Sequence, residues 1–193
     1  MEDSLEKWFA LLKRVLVIHR GESKMHTLSS EQLEQFESQA GFILPHEYKE
    51  YCQVFGTGEF GITIFNIRCP DCVDVVGHLI SLQDTINACV NYADYSEEEK
   101  QIFQSAYVFG YGADHSFLIF DLATYSDEDK SANIYGISED DTIYFIGRSF
   151  WEFIRDVCMG DKAAKCFPEL VDGVDPESGL QDLVRGSRTF SPN

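Results

Sequence analysis

Basic residues are scarce in this sequence. Its 193 residues include 15 Lys and Arg against 33 Asp and Glu, which gives a formal net charge of −18 at pH 7. Such an acidic surface disfavours direct binding to nucleic acid or to an anionic membrane, because like charges repel. It favours a basic protein as partner, since complementary fields accelerate encounter. The alternative is that the acidity serves solubility alone.

Long apolar runs are also missing, and no stretch reaches the length that a membrane span requires. The first twenty residues carry acids ahead of their apolar positions, and Lys13 and Arg14 among them, which is unlike a secretory signal. We therefore expect a cytoplasmic protein whose six cysteines are reduced thiols.

The metal-binding motifs are incomplete. In "HEYKE", His46 and Glu50 lie one helical turn apart, but a second histidine and a third ligand are missing. In "RCPDC", Cys69 and Cys72 have no second cysteine pair. The valines that follow (Val73, Val75 and Val76) predict a strand, whereas a thioredoxin-like motif precedes a helix. We interpret the cysteines as two loop thiols, with metal binding and redox sensitivity as alternatives, and expect no cofactor.

The segments that resemble catalytic and nucleotide-binding motifs are not flanked by the secondary structure that those motifs require. "GTGEFG" (residues 56–61) follows a predicted helix and precedes a predicted strand, the reverse of a nucleotide-binding loop, so its glycines predict a turn. Asp114, His115 and Ser116 are adjacent in a predicted strand, where neighbours face opposite sides, so they form no triad. Asp121 is a candidate for a buried carboxylate pair without an identifiable partner. We therefore predict that the protein is not an enzyme.

Helices are predicted where apolar spacing and capping patterns coincide. Apolar residues at helical spacing predict a first helix over residues 4–19. A capping box at Ser29 and a stop at Gly41 bound the second, and Pro45 opens the third. Further capping boxes begin at Ser81, Ser96 and Ser149.

Strands are predicted at "AYVFGYG", "HSFLIFDLA" and the pair "IYGIS" and "TIYFIG", with an earlier β-rich run at "FGITIFNI". Residues beyond 160 lack apolar periodicity. The predicted organisation is an N-terminal helix and connector (1–26), an α+β domain (27–160) and an extended or partly ordered tail (161–193).

Acidic clusters are the candidate partner-binding surface. They lie at residues 97–99, 127–129 and 139–141, the last two in loops beside tyrosines. Acids next to exposed aromatic rings suit a basic protein surface, although a solvated loop is the alternative for each cluster. The candidate residues are Glu97, Glu98, Tyr125, Asp127, Glu128, Asp129, Glu139, Asp140 and Asp141.

The order of these segments resembles the SUKH superfamily. The opening motif spans residues 28–61, and "YVFGYGADHSFLIFDL" and "IYFIGRSFWEFI" match its later strands and last helix. The residues that carry the resemblance are Phe36, Glu37, Gly41, Leu44, Pro45, Tyr48, Gly56, Asp121 and Phe150. The chain departs from the pattern in its extra N-terminal helix, its tail, and Gly-Thr-Gly where Asn-Gly is common.

The resemblance implies an α+β fold with a mainly antiparallel sheet packed by helices. It also implies a non-catalytic role. Most members are bacterial immunity proteins that bind and neutralise a polymorphic toxin, frequently a nuclease, and a eukaryotic branch regulates cell-wall synthesis. Because the interface is expected to vary among members, the motif residues are expected to serve the fold, and the acidic loops the partner.

Overall fold

The structure is a computed structural model that describes residues 2–19, 24–60, 65–92, 95–112, 116–138, 142–160, 162 and 189–193. Its helices are α1 (Glu2–Leu12), α2 (Ser30–Ala40), α3 (His46–Val54), α4 (Val75–Tyr92), α5 (Glu97–Gln104) and α6 (Phe150–Glu152), the last continuing as a π-helical segment (Phe153–Cys158). Its strands are β1 (Leu16–Val17), β2 (Gly58–Phe60), β3 (Phe65–Ile67), β4 (Ala106–Gly112), β5 (Phe117–Ser126), β6 (Ser131–Ile137), β7 (Ile143–Gly147) and β8 (Thr189–Pro192).

The strands form one sheet in the order β1-β8-β2-β3-β4-β5-β6-β7. Among the described strands, β1 pairs with β8 in parallel and the other pairings are antiparallel. Neighbouring residues of a strand face opposite sides, so Tyr107 and Phe109 of β4 join the main core while Val108 joins a smaller cluster with α4 and α5. The predicted α+β fold with a mainly antiparallel sheet packed by helices is confirmed.

The main core is dominated by aromatic rings. Phe150, at the start of α6, lies 5.2 Å from Tyr48, 5.4 Å from Tyr51 and 5.3 Å from Phe109 between ring centroids, mostly edge to face. Such pairs add stabilisation beyond the area they bury. This ring cluster fixes α3 and α6 against the sheet.

Local signals predicted the starts of α2 and α5 correctly. Ser29 accepts a hydrogen bond from the Gln32 N–H while the Gln32 side chain accepts one from the Ser29 N–H, and Ser96 and Glu99 repeat the arrangement. Gly41 ends α2 in the left-handed conformation, with φ of 77°. These reciprocal bonds satisfy amide groups that a helix end leaves free.

The first helix is shorter than predicted. It ends at Leu12, because hydrogen bonds from the Arg14 amide to Leu11 and from the Val15 amide to Leu12 tighten its last turn. Leu16–Val17 then joins the sheet as β1. The end of the amphipathic pattern therefore belongs to a strand.

The strand predicted after Cys72 is wrong, because α4 begins there. The Asp71 carboxylate accepts hydrogen bonds from the Val73 and Asp74 amides, and the Asp74 carboxylate accepts one from the Gly77 amide. These bonds start the helix at Val75, so the capping box predicted at Ser81 lies inside α4 and does not begin it.

The end of the chain supplies an inner strand of the sheet. Within the segment predicted as a tail, Thr189–Pro192 lies between β1 and β2, parallel to the first and antiparallel to the second. Phe190 is fully buried and packs on Phe55 and Phe60 at 5.3 and 5.0 Å between ring centroids. No pattern of the sequence had indicated this strand.

Candidate functional site

The Glu47 carboxylate connects three helices. One oxygen accepts a hydrogen bond from Lys7 of α1 at 2.9 Å. The other accepts bonds from the Ser149 hydroxyl at 2.8 Å and from the Trp151 amide at 3.0 Å, at the start of α6. Burial acts to raise the pKa of Glu47, but the bonds from Trp151, Lys7 and Ser149 outweigh it and hold this pKa below its ordinary value.

Glu50, one turn further along α3, is a buried carboxylate. Only 2% of the residue is exposed. Its Oε2 accepts a hydrogen bond from the Trp8 indole at 2.9 Å and lies 3.4 Å from the Lys7 ammonium. Buried carboxylates are retained in proteins when such partners compensate the lost hydration.

The other oxygen of Glu50, Oε1, has fewer polar contacts. Nε2 of His46 lies 3.0 Å from Oε1, a contact that is an ion pair only when the imidazole is protonated. No hydrogen bond reaches Oε1 from the described part of the chain. Glu50 and His46 line a cleft of about 360 Å³ between α1, α2 and α3, the low end of the range for ligand sites.

The "HEYKE" segment does not assemble a metal centre in the described ranges. His46 and Glu50 do meet on one helical face, as their spacing predicts. However, no group of three His, Cys, Asp or Glu residues able to hold a metal ion occurs among the residues described. Its polar side chains connect helices and line the cleft.

The acidic turn between β5 and β6 is largely engaged within the protein. Asp127 pairs with Lys130 at 2.8 Å. Asp129 pairs with Arg148 at 3.3 Å, and the pKa of Asp129 falls to about 2 because Arg148 and Ser131 hydrogen-bond to its carboxylate. Tyr125 packs partly against the core. Glu128 is therefore the carboxylate of this turn best placed to meet a partner.

Of the other acidic candidates, Glu97 and Glu98 lie on a different element from this turn. Glu97 and Glu98 open α5, whose far end at Ser105 lies beside Asp121, so a helix of about 12 Å separates them from that point. Glu97 pairs with Lys100 at 3.1 Å. Two sets of candidates lie outside the described residues: Glu139, Asp140 and Asp141 of the third cluster, and Asp114 and His115 of the "DHS" segment.

The family-motif residues serve the fold. Phe36, Leu44, Tyr48 and Phe150 are buried in the main core. Glu37 accepts a hydrogen bond from the Leu44 amide at 2.7 Å and pairs with Lys49 at 2.8 Å, which fixes the turn that leads into Pro45 and α3. The Tyr48 hydroxyl donates to the Arg68 carbonyl.

Two further motif residues, Gly56 and Asp121, act through backbone geometry and hydrogen bonding. Gly56 has φ of 73°, and a Cβ there would lie 2.3 Å from the His26 carbonyl oxygen, so only glycine fits. Asp121 accepts hydrogen bonds from the Ser105 hydroxyl and the Ala123 amide. These partners join α5 to β5, and within the described ranges Asp121 forms no pair with a second carboxylate.

The "RCPDC" thiols lie between β3 and α4, the strand-to-helix position that the sequence had not predicted. Cys69 and Cys72 form no disulfide. Burial, assisted by Cys69 and Asp71, raises the pKa of Cys72 to about 11, whereas reactive thiols have lowered pKa values. The chain then enters an antiparallel sheet, so the βαβ unit of a thioredoxin-like site is not formed.

Sequence reasoning missed the partners of α3. It considered Glu50 only as a candidate metal ligand. Lys7 and Trp8 lie about forty positions earlier and carry no local signal of this contact. A buried tryptophan on an amphipathic helix was the sole available hint, because an indole N–H needs an acceptor when it is buried.

The fold and the site together define a class of protein. A helix-covered antiparallel sheet whose motif residues serve packing, turns and helix contacts is the architecture that the SUKH resemblance implied.

The comparison with family models agrees, since the SMI1 / KNR4 family (SUKH-1) matches residues 27–156. The chain belongs to this family. No curated protein and no solved structure matches the chain significantly. In the described part of the chain, no helix is long and apolar enough to cross a membrane.

Proposed function

We propose that this protein is a non-catalytic, cytoplasmic immunity protein that binds and neutralises a polymorphic toxin domain with an acidic surface. The observation that carries the proposal is membership of the SMI1 / KNR4 family over residues 27–156. The excess of acids supports a basic partner, and a nuclease toxin presents a basic groove for its nucleic acid.

The acidic side chains that face solvent supply the steering charge. Glu98 and Glu128 are exposed. Asp129 differs from them, because Arg148 already holds its carboxylate and a partner would have to compete for it. Steering of this kind raises the association rate and weakens as salt screens the charges.

Co-expression tests the proposal directly. The chain is expressed with the toxin domain encoded beside its gene, and survival is compared with cells that express the toxin alone. We expect full survival and a one-to-one complex of the purified proteins. Continued killing when both proteins are present at equal levels would sink the proposal.

Once a partner is identified, association rates test whether the acidic surface contributes to binding. Glu128→Lys and Glu98→Lys should each slow association severalfold at low salt and less at high salt, because they act through screened charge. Asp84→Lys, which reverses the same charge at an exposed position of α4, is the matched control. Equal effects of all three would assign the interface to another surface.

The alternative is a regulatory scaffold of the cell-wall-regulator type, which the same family match also fits. It predicts stable association with several host proteins and no toxin gene nearby. A pull-down from the host, analysed by mass spectrometry, separates the two functions, since an immunity protein should capture one toxin domain.

A further inference from the structure

The cleft between α1, α2 and α3 is lined by both acidic and apolar side chains. Glu50 and Glu34 line it together with Leu5 of α1 and Leu33 of α2, and Glu50 is buried whereas Glu34 is exposed. The cleft is open to solvent and about 360 Å³ in volume, which suits a single side chain or a small molecule.

Glu50 places a buried carboxylate oxygen beside this cleft, and no hydrogen bond from a described residue reaches it. A carboxylate has about four lone-pair positions, and buried polar atoms almost always have a partner. Trp8 and Lys7 occupy the Oε2 side, whereas Oε1 accepts no hydrogen bond from a described residue. Oε1 itself is shielded from solvent, and Nε2 of His46, a half-exposed side chain that also lines the cleft, lies 3.0 Å from it.

Two lysines near the cleft are already paired. Lys49 is held by Glu37 at 2.8 Å, and Lys7 contacts Glu47 at 2.9 Å and Glu50 at 3.4 Å. Glu34 and Glu50 both line the cleft, so its lining keeps an excess of negative charge.

We propose that this cleft binds one arginine side chain of a protein partner, with its guanidinium displacing the half-exposed His46 imidazole from Oε1 of Glu50 and its stem against Leu5 and Leu33. Arginine fits better than lysine, because a planar guanidinium is weakly hydrated and suits a partly apolar site. An aliphatic stem with a charged end uses both the apolar and the acidic side chains of the lining. Buried arginine anchors are typical centres of binding energy in interfaces.

This inference rests on the proposed function for the identity of the partner, a toxin domain. It adds that the partner presents an arginine side chain. It also places a contact on α1 to α3 in addition to the acidic loops.

The test uses the full chain and small probes. Butylguanidinium is titrated into ¹⁵N-labelled protein, and the indole N–H of Trp8 is followed by NMR because it donates to the same carboxylate. We expect a saturable shift there and at residues lining the cleft. Butylurea has nearly the same shape without the charge and should bind at least about tenfold more weakly. Butylammonium tests the choice of arginine, since tighter binding than butylguanidinium would overturn it.

Two variants of the same chemistry complete the design. Glu50→Gln should abolish the response to butylguanidinium, while Asp84→Asn, the same carboxylate-to-amide change on α4 and outside the cleft, should leave it unchanged. If Glu50→Gln fails to fold, the comparison of butylguanidinium with butylurea on the natural protein still decides. Equal binding of these two, or shifts scattered away from the cleft, would overturn the proposal. Because no partner protein is present, such a failure leaves the proposed function standing.

Discussion

The part of the chain that matches the family differs from the parts outside it in what its residues do. Residues 27–156 contain the motif, whose side chains pack the core and fix turns. The segments outside, α1, β1 and β8, add Lys7 and Trp8 to α3 and an inner strand to the sheet. The family domain thus leaves carboxylates on α3 and an edge of β2 that α1 and β8 cover.

The largest expected effect comes from Trp8→Ala, which removes the main contact of α1. Trp8 is fully buried, lies 4.9 Å from Trp151 and 5.8 Å from Tyr51 between ring centroids, and donates to Glu50. We expect a loss of about 3–5 kcal/mol in the free energy of unfolding. Urea denaturation measures it.

Phe9→Ala is the matched control for Trp8→Ala, because Phe9 is the next residue of α1 and is 48% exposed. A surface substitution of this kind should cost about 0.5 kcal/mol. If Trp8→Ala lowered the free energy of unfolding as little as Phe9→Ala does, α1 would not be part of the folded unit that contains the family domain.

The second prediction concerns β8. Phe190→Ala removes a buried ring that packs on Phe55 and Phe60 and lies so close to Gly58 that a Cβ there would meet it at 2.3 Å. We expect a loss of about 3 kcal/mol, less than for Trp8→Ala because no buried charge loses a partner. Asn193→Ala, at an exposed neighbouring position, should be neutral in the same denaturation assay. If Phe190→Ala were as stable as the natural protein, β8 would not be part of the core.

The smallest expected effect is the pH dependence from Glu47. Its pKa is lower in the folded protein than the unfolded value of about 4.3, so its stabilisation is present above that value and is lost as pH falls through the folded pKa. Glu47→Gln should melt about 2–4 °C below the natural protein at pH 7. This difference in melting temperature should narrow as pH falls below the unfolded pKa of about 4.3, whereas the exposed Asp84→Asn should melt at the same temperature as the natural protein. If the difference in melting temperature between Glu47→Gln and the natural protein did not change with pH, the destabilisation would come from packing and not from the charge of Glu47.

The sequence was most informative where structure is local. The boxes at Ser29 and Ser96 were correct because both partners lie within one helical turn. Valines after Cys72 suggested a strand, but Asp71 and Asp74 capped a helix there, so side-chain hydrogen bonds prevailed over β propensity. The strand at Thr189–Pro192 had no local pattern, since its pairing with β1 and β2 is long-range.

The candidate site divides in the same way. The spacing of His46 and Glu50 correctly placed them on one face of a helix. Their partners on α1 could not be read from a pattern, because contact between Lys7 or Trp8 and α3 depends on how two helices pack. The acidic loops were identified by composition, which shows charge but not that Arg148 already holds Asp129.

The position of β8 has a consequence for how the chain folds during synthesis. Leu16–Val17 pairs with Thr189–Pro192 across almost the whole chain, so this contact has a high contact order and forms slowly. Until residues 189–192 leave the ribosome, the edge of β2 that pairs with β8 has no partner, and unpaired edges recruit other chains. Aggregation during expression should therefore be sensitive to changes in β8.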